Sequence, residues 1–529
     1  VPFPHDASGA FIGYKTDHDP AERATSAGPK TSKFMSECLQ AIVERAGIRI
    51  IDKQPVLRFV TDGSGADKQI VAMICLDLNS SGDSPAASVF VADNWILAGG
   101  GPGGMKAAAV AAARAGARTM VVERNGFAGG FFTAIMGSAF DGFVDERSGA
   151  PVVGGIVFEM LERMGVIEKG AGPSLRYNVN GDLSFVEMHP DRVIPRCDPE
   201  RFKRAADDIL ESAGVEILYH TQVADVISSG GHVESVLVSN KAGLVAIQPK
   251  VVIDTTGDGD VAAWAGAATE MAESLQPMSL HFRLAFLEPS YELRRRCAAV
   301  LEKVHARGDL GLYGGPYPAT FSGRDIYFNA TRIAGNSTDP ADWTRAEIQG
   351  RRDAWTMFEA WKQELDEFAD AYFIGSGPDA GARESRRIVG DYVLTADDVV
   401  EGRKQEDVVV LGAWRLDRHP ADSAGYHDIP WTPPYDIPYR TLLPRDFDNL
   451  LVAGRCHSAT SEALASSRVT ATAMGMGQAA GLAGAMAVGS DDSVRDIEIR
   501  TLQAELEGAG AILEAPASEG STDVGDPKW

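Results

Sequence analysis

Gly99, Gly101 and Gly104, with Pro102 inside the run, form G-x-G-x-x-G, and Glu123 follows 24 residues after the first glycine. Glycines at this spacing carry chemistry when a strand precedes them, a helix follows, and a second strand ends in an acid. The sequence supplies each part. Residues 95–98 are a short apolar run, the Ala-rich stretch to Arg114 has helical composition, and 119–122 is a second apolar run closed by Glu123. The first glycine then makes the tight turn, the second lets backbone reach a pyrophosphate, and the third allows close helix–strand packing. The phosphates would sit on free N–H groups at the helix N-terminus. Glu123 is placed to accept ribose hydroxyls, and its charge would repel a 2′-phosphate. The reading is a dinucleotide site.

Two further strand ends carry ligand-type residues. The apolar run 251–254 leads into Gly257, Asp258 and Gly259, which offer close backbone and an acid that accepts hydrogen bonds; an ordinary Asx turn uses the same residues. The run 449–454 ends in Gly454, Arg455, Cys456 and His457. His457 is a candidate acid or base, because histidine titrates near neutral pH. Cys456 lacks a second thiol nearby in sequence, so packing or ligand contact suits it better than dithiol chemistry. A small-residue helix then opens at Ser466 and Ser467 and carries Ala473, Gly475, Gly477, Ala479, Ala480 and Gly481. Its dipole suits a partial negative charge at the N-terminus. Tight packing alone would produce the same stripe.

The elements that must hold these ends repeat a pattern. Residues 199–259 read as helix, strand, a hairpin around Gly230 and Gly231, then the apolar strand; residues 31–101 follow the same order with a hairpin around 63–65. The strand at 95–98 ends the first copy and also opens the dinucleotide fold. The helix and acid after it assign it to the fold, leaving 1–92 as an appended half-module. From 271 to 439 the pattern is mixed helix and strand with aromatics and prolines, as in an inserted cap or substrate domain. Residues 93–270 and 440–490 would be the two parts of the nucleotide-binding domain, and 491–529 a C-terminal helix and flexible tail.

With 529 residues the chain holds several domains' worth of core. Lys+Arg 50 against Asp+Glu 74 leaves a net charge of −24, the wrong sign for a nucleic-acid binder or an anionic membrane. The five cysteines, Cys38, Cys75, Cys197, Cys297 and Cys456, form neither CxxC nor zinc spacing, which fits a reducing compartment. No apolar run approaches the roughly 20 residues of a membrane span. No secretory signal is visible at Val1, so the expected location is cytoplasmic, with an upstream segment left open because Met is not first. There is no P-loop, HExxH or GxSxG, and no metal site is expected.

The blocks ERNGFAGG (123–130), IDTTGDGD (253–260), RESRRIVGDYVLTADDV (383–399), YDIPYRTLLP…NLLVAGRC (435–456) and SSRVTATAMGMGQAAG (466–481) stand in order along the chain. Over about 93–490 it resembles a large family of bacterial FAD-dependent oxidoreductases. The resemblance implies an α/β, Rossmann-like FAD-binding domain of the glutathione-reductase type carrying the inserted α+β cap. It adds Arg124, Gly129 and Gly130 to the cofactor-binding residues and turns the start of the small-residue helix toward the isoalloxazine. There Arg468 is positioned to neutralise flavin O2 or a carboxylate. Asp417, Arg418 and His419, and the Arg383–Arg387 cluster, would bind an anionic or hydroxylated substrate or form a structural ion-pair network; His419 is the third catalytic candidate. Residues 11–104, through GYKTDHDPAERATSAGPKTSKFM and LAGGGPGGM, resemble instead the middle of a fumarate reductase or succinate dehydrogenase-like flavoprotein, so the chain resembles a fusion. The expected reaction is hydride transfer between a small organic substrate and non-covalently bound FAD, with an unidentified electron acceptor, an electron-acceptor protein or quinone as readily as a soluble nicotinamide. A flavin-binding protein without turnover and an NAD-dependent dehydrogenase are the alternatives.

Overall fold

The computed structural model describes residues 104–138, 140–177, 192–193, 195, 197–322, 324–422, 424–425 and 431–515, with short strands at 14–15, 24–26, 60–62, 69–72, 89–91 and 95–99 ahead of them. The chain divides into two units, Val1–Val89 and Phe90–Trp529. In the first, Tyr14–Lys15 pairs antiparallel with Ala24–Ser26, and Val60–Asp62 with Gln69–Ala72 across the hairpin expected near 63–65. The helix expected at 31–47 and the strand at 48–53 lie outside the described residues, as do Gly101, Pro102 and the tail from 516.

In the second unit the elements expected on either side of the glycine run are present. β1 (Trp95–Gly99) leads to helix α1 (Gly104–Arg114) and strand β2 (Arg118–Val122). Helix α2 (Pro199–Ser212) follows, with Asp198 accepting from the Glu200 and Arg201 N–H groups and Pro199 at the first position. Its buried stripe of Phe202, Ala205, Ala206, Ile209 and Leu210 has helical spacing and docks it on the core. Then come β3 (Glu216–Leu218), β4 (Val251–Asp254), β5 (Leu450–Val452) and helix α3 (Thr470–Ser490). The sheet order is β5-β4-β1-β2-β3, every neighbouring pair parallel. Parallel strands covered on both faces read as unbroken apolar runs, and all four residues of β4 are buried. β1 pairs with both β2 and β4, so it is the central strand of a mixed α/β unit, consistent with a Rossmann-like nucleotide-binding domain.

The Gly230–Gly231 hairpin forms between Gln222–Ser229 and His232–Asn240, with φ of 58° and 82° at the two glycines. Two consecutive positive φ values make the turn that matches strand twist. Further along, Tyr313–Ser322, Asp325–Thr331, Phe282–Ala285 and Tyr372–Ser376 form an antiparallel sheet in that order. Helices Tyr291–Ala306 and Pro340–Glu364 share its core, where Trp361 lies 4.8 Å from Phe328 between ring centroids and its indole N–H donates to the Cys297 carbonyl at 3.1 Å. The antiparallel pair Val408–Gly412 and Tyr435–Pro438, which the sequence reading grouped with this inserted segment, instead packs in the core around α3.

The small-residue helix also departs from expectation. Ser466 and Ser467 do not open it: they end a separate short helix, Ser461–Ser467, and their hydroxyls bond the Trp414 carbonyl and the His457 ring. Val469 is extended, with φ −70° and ψ 162°, and α3 begins at Thr470. Its stripe serves packing. A Cβ at Gly481 would lie 2.1 Å from the Ala108 carbonyl oxygen of α1, and one at Gly475 2.3 Å from a Val410 methyl.

Candidate active site

An open groove lies at the carboxyl ends of β2, β4 and β5, where ligands bind in open parallel sheets. It holds about 1460 Å³ including the space continuous with solvent. Arg124, Gly130, Gly257, Asp258, Gly454, Arg455 and Arg468, singled out from sequence, all line it. Glu123 is buried between two lining residues, Val122 and Arg124, and accepts the Asn125 N–H at 2.8 Å. Gly129, with φ +125°, is packed against Thr133 and Phe202 behind Gly130. Gly99 and Gly104 stand at the end of β1 and the start of α1.

The strand ends are built for close approach. Gly257 and Gly454 have φ of +85° and +86°, conformations open to glycine. A Cβ at Gly257 would sit 2.8 Å from Arg455 Nη2. Asp254 accepts the Thr256 N–H and hydroxyl at 2.9 and 2.7 Å and the Ala262 N–H at 2.9 Å, so the turn after β4 is held from inside. Asp258 is a hub: it accepts from Ser337 Oγ at 2.7 Å, Ser385 Oγ at 2.5 Å and Arg455 Nη1 at 2.9 Å. Burial works against its charge, but Arg455 and the two hydroxyls hold the carboxyl below its ordinary value. Asp258 is therefore held in its ionised form and positions Arg455.

α3 opens onto the groove at Thr470 and Ala473, and no side chain caps it. The Ala471 N–H donates to the Asp141 carbonyl at 3.1 Å. Asp141 itself lines the groove, and its buried Oδ1 has no hydrogen-bond partner. Burial, then the nearby Asp417 charge, push its carboxyl up to about 7. Glu123 is likewise raised to about 7, first by burial. Nothing in the sequence around Asp141 marked it, nor Trp343, whose ring lies 5.0 Å from the Arg124 guanidinium at the groove wall. Arg124 also pairs with Asp379 at 2.5 Å.

The three catalytic candidates lie apart from the groove lining. His457 is fully buried, with Nδ1 2.7 Å from the Gly454 carbonyl and Nε2 3.0 Å from Ser467 Oγ. That pattern fixes the neutral tautomer with Nδ1–H donating and Nε2 accepting, and burial lowers the ring to about 4. Its place is structural, holding the 454–457 turn on the short helix. Cys456 is fully buried, its thiol facing the Asp254 carbonyl at 3.6 Å, and burial pushes it far above the ordinary thiol range. A thiol so held is not a nucleophile. His419 stands 3.2 Å from Asp417, and burial keeps the ring neutral, at about 3. Asp417 is the charged member: burial opposes it, but His419, Arg468 and Arg383 hold it below the usual carboxylate range. Because His419 is neutral, the two arginines supply that charge balance.

Among the described residues, no group of three or more His, Cys, Asp or Glu side chains is arranged to hold a metal ion, and no helix is long and apolar enough to cross a membrane.

A family model described as FAD dependent oxidoreductase matches residues 95–506. No curated protein matches the chain. Among solved structures, a geranylgeranyl bacteriochlorophyll reductase-like protein from Thermoplasma acidophilum is similar at 13% identity and a TM-score of 0.41, over 80% of this chain and 83% of that one. The myxobacterial chondrochloren halogenase CndH is similar at 13% identity and a TM-score of 0.39, over 79% and 78%. The aromatic hydroxylase CabE of angucycline biosynthesis gives 12% identity and a TM-score of 0.37, over 79% and 68%.

Proposed function

The chain belongs to the FAD-dependent oxidoreductase family, and from that premise we propose that its groove is the FAD site and that a small organic substrate is oxidised or reduced beside Asp141. The groove at three converging strand ends, opened by two left-handed glycines and facing an uncapped helix start, carries this reading.

The residues fit the cofactor. Gly257 and Gly454 line the groove at positive φ, and a Cβ at either would face another lining residue, Arg455 at 2.8 Å or Ala473 at 3.6 Å. The dipole at the N-terminus of α3 suits the partial negative charge at the pyrimidine edge of a flavin. Arg468 lines the groove with its Nε buried and without a hydrogen-bond partner. Glu123 would accept the ribose hydroxyls, and the run at 99–104 would take the pyrophosphate. The glutathione-reductase type of the domain and the cap role of the inserted sheet belong to the same proposal. The attachment is read as non-covalent.

When bound, FAD supplies the two-electron partner for the substrate. The chain's own residues do the rest. Asp141 holds or releases one proton near neutral pH, since an acid or base works best with its pKa near the operating pH. Arg468 offers a fixed positive charge to developing anionic oxygen. Asp258 keeps Arg455 aimed along the groove. An electron-acceptor protein or a quinone completes the cycle when the substrate is oxidised, and an electron donor completes it when the substrate is reduced.

The test is the visible spectrum of the purified protein, then of the supernatant after acid precipitation. A flavin spectrum released as FAD is expected. A folded, colourless protein that takes up no added FAD would overturn the assignment, and NAD binding would then be the next measurement.

A further inference from the structure

Arg332 and Arg383 come from the inserted sheet segment and from the 383–399 block, yet their guanidinium groups share one acceptor. Arg332 Nη1 donates to Ser279 Oγ at 2.8 Å and Arg383 Nη1 to the same oxygen at 2.7 Å. Their other partners are neutral: Asn329 Oδ1 for both, the Thr331 carbonyl for Arg332 and the Pro277 carbonyl for Arg383. Arg332 is 4% exposed and Arg383 8%. Arg332 Nη2 is buried without a hydrogen-bond partner, and among the described residues neither arginine has a carboxylate within ion-pair distance.

This is not how a structural network is built. Elsewhere in the same unit a buried arginine is matched: Arg387 pairs with Glu384 at 2.9 Å and Arg455 with Asp258 at 2.9 Å. The charges acting on Arg332 and Arg383 include each other, Arg468 and Asp417, which stands 3.9 Å from Arg468; Glu384 and Asp141 act on the cluster at Arg468. Tyr327 and His281, hydrogen-bonded at 3.1 Å, fill the adjoining space, and both rings are uncharged. Positive charge is in excess here: Asp417 balances Arg468 and Arg383 at a distance, and among the described residues no carboxylate touches Arg332. Such an excess out of water is costly, and a fold keeps it where a ligand completes it. The cluster adjoins the groove: Arg468 lines it, and His281 stacks edge-on against the lining residue Phe131 at 6.0 Å.

Resting on the FAD reading of the groove, we propose that Arg332, Arg383 and Arg468 form the substrate subsite and that the substrate is a small organic acid held by its carboxylate. Guanidinium groups bind carboxylates through paired N–H donors, and Arg332 Nη2 is the buried donor left without a partner. The ring or chain of the acid then extends past Phe131 and Asp141 toward the cofactor.

The test is calorimetry on the holoenzyme with malonate and with benzoate, each against its neutral methyl ester, with the flavin spectrum followed in parallel. Binding of at least one acid but not its ester is expected. Arg332→Gln and Arg383→Gln should each weaken it roughly 10- to 100-fold, the range of a hydrogen bond to a charged group, with FAD content unchanged. Arg332→Lys, which keeps the charge, should recover part of the loss if the Gln variant binds poorly. FAD-loaded protein that binds the acids no better than the esters, or variants that bind them as the parent does, would overturn the subsite and leave the FAD reading intact. Colourless protein that still binds an acid through Arg332 would support the subsite and overturn only the FAD reading.

Discussion

Glu123 offers the sharpest test of where the cofactor lies. Its carboxyl is buried and raised to about 7, first by burial. Ribose hydroxyls donate to the ionised form, so FAD should bind the carboxylate and release a proton from the fraction that carries one. For a single site with pKa about 7, the apparent dissociation constant scales as one plus the ratio of proton concentration to acid constant. That factor is about 1.1 at pH 8 and about 11 at pH 6, so affinity should fall about tenfold across the interval, close to 1.4 kcal/mol. The sign is fixed: affinity is lost as pH falls. Without cofactor the sign on stability is reversed. A raised carboxyl makes its charge costly to the fold, and that cost enters as pH rises from the unfolded value through about 7. The assay is quenching of FAD fluorescence on titration into stripped protein, from pH 6 to pH 8.5, for the parent and for Glu123→Gln. Asp141, also near 7, and Asp260, near 6, titrate in the same groove. The difference between the two pH slopes therefore isolates Glu123. Glu123→Gln should show a flatter profile and, at pH 8, an affinity reduced by roughly 1.5–3 kcal/mol, the range for a charged hydrogen bond. Parallel slopes with equal affinity would refute the ribose role.

Asp141→Asn should remove a pH-dependent limb of kcat/KM near 7 and lower the rate by roughly 10²–10⁴; an unchanged profile would leave Asp141 as only a peptide anchor for α3. For a substrate oxidised with loss of a proton, the parent's kcat/KM should rise with pH through about 7, because the ionised carboxylate is the base. His457→Gln should retain FAD and the parental pH–rate profile while lowering thermal stability, since a buried unmatched polar group costs about 1–3 kcal/mol; loss of the catalytic limb instead would restore His457 as the acid–base group. Gly481→Ala should destabilise the fold, because the new methyl would stand 2.1 Å from a backbone oxygen of α1. Overpacking of about 1–3 kcal/mol outweighs the roughly 1 kcal/mol that alanine gains in a helix; a higher melting temperature would refute the close helix contact.

The parallel sheet was legible because its signals are local. Apolar runs for β1, β2, β4 and β5, the turn glycines behind them and the Asp198–Pro199 start of α2 each act within a few residues. The reading of α3 failed at a boundary for the opposite reason. Ser466 and Ser467 look like a helix start in sequence, but their hydroxyls are taken by Trp414 and His457, and that competition is visible only in three dimensions. The glycine stripe was open to two readings, and contacts with Ala108 and Val410 assign it to packing. His457 follows a strand end next to the groove, yet burial and two fixed hydrogen bonds decide its state. Asp141 and Arg332 carried no motif at all: each matters through what the fold leaves unmatched beside it.

Burial alone does not assign roles to the acids of this site. Asp258 is buried and Asp141 and Asp417 are half-buried, and desolvation raises the pKa of a carboxyl so placed. They separate by their cations. Asp258 has Arg455 and two serine hydroxyls in contact, and Asp417 has Arg468 and Arg383 nearby, so both stay ionised and serve as anchors. Asp141 feels Arg468 more weakly than it feels burial and the charge on Asp417, so it stays close to neutrality and can exchange a proton. A carboxylate ligand on Arg332 and Arg383 would add another negative charge near Asp417 and Tyr327, and Tyr327 already senses Asp141. Substrate binding should then raise the Asp141 carboxyl further, so that the pH limb of kcat lies above that of kcat/KM. The two limbs would coincide if the acid bound anywhere remote from the arginines.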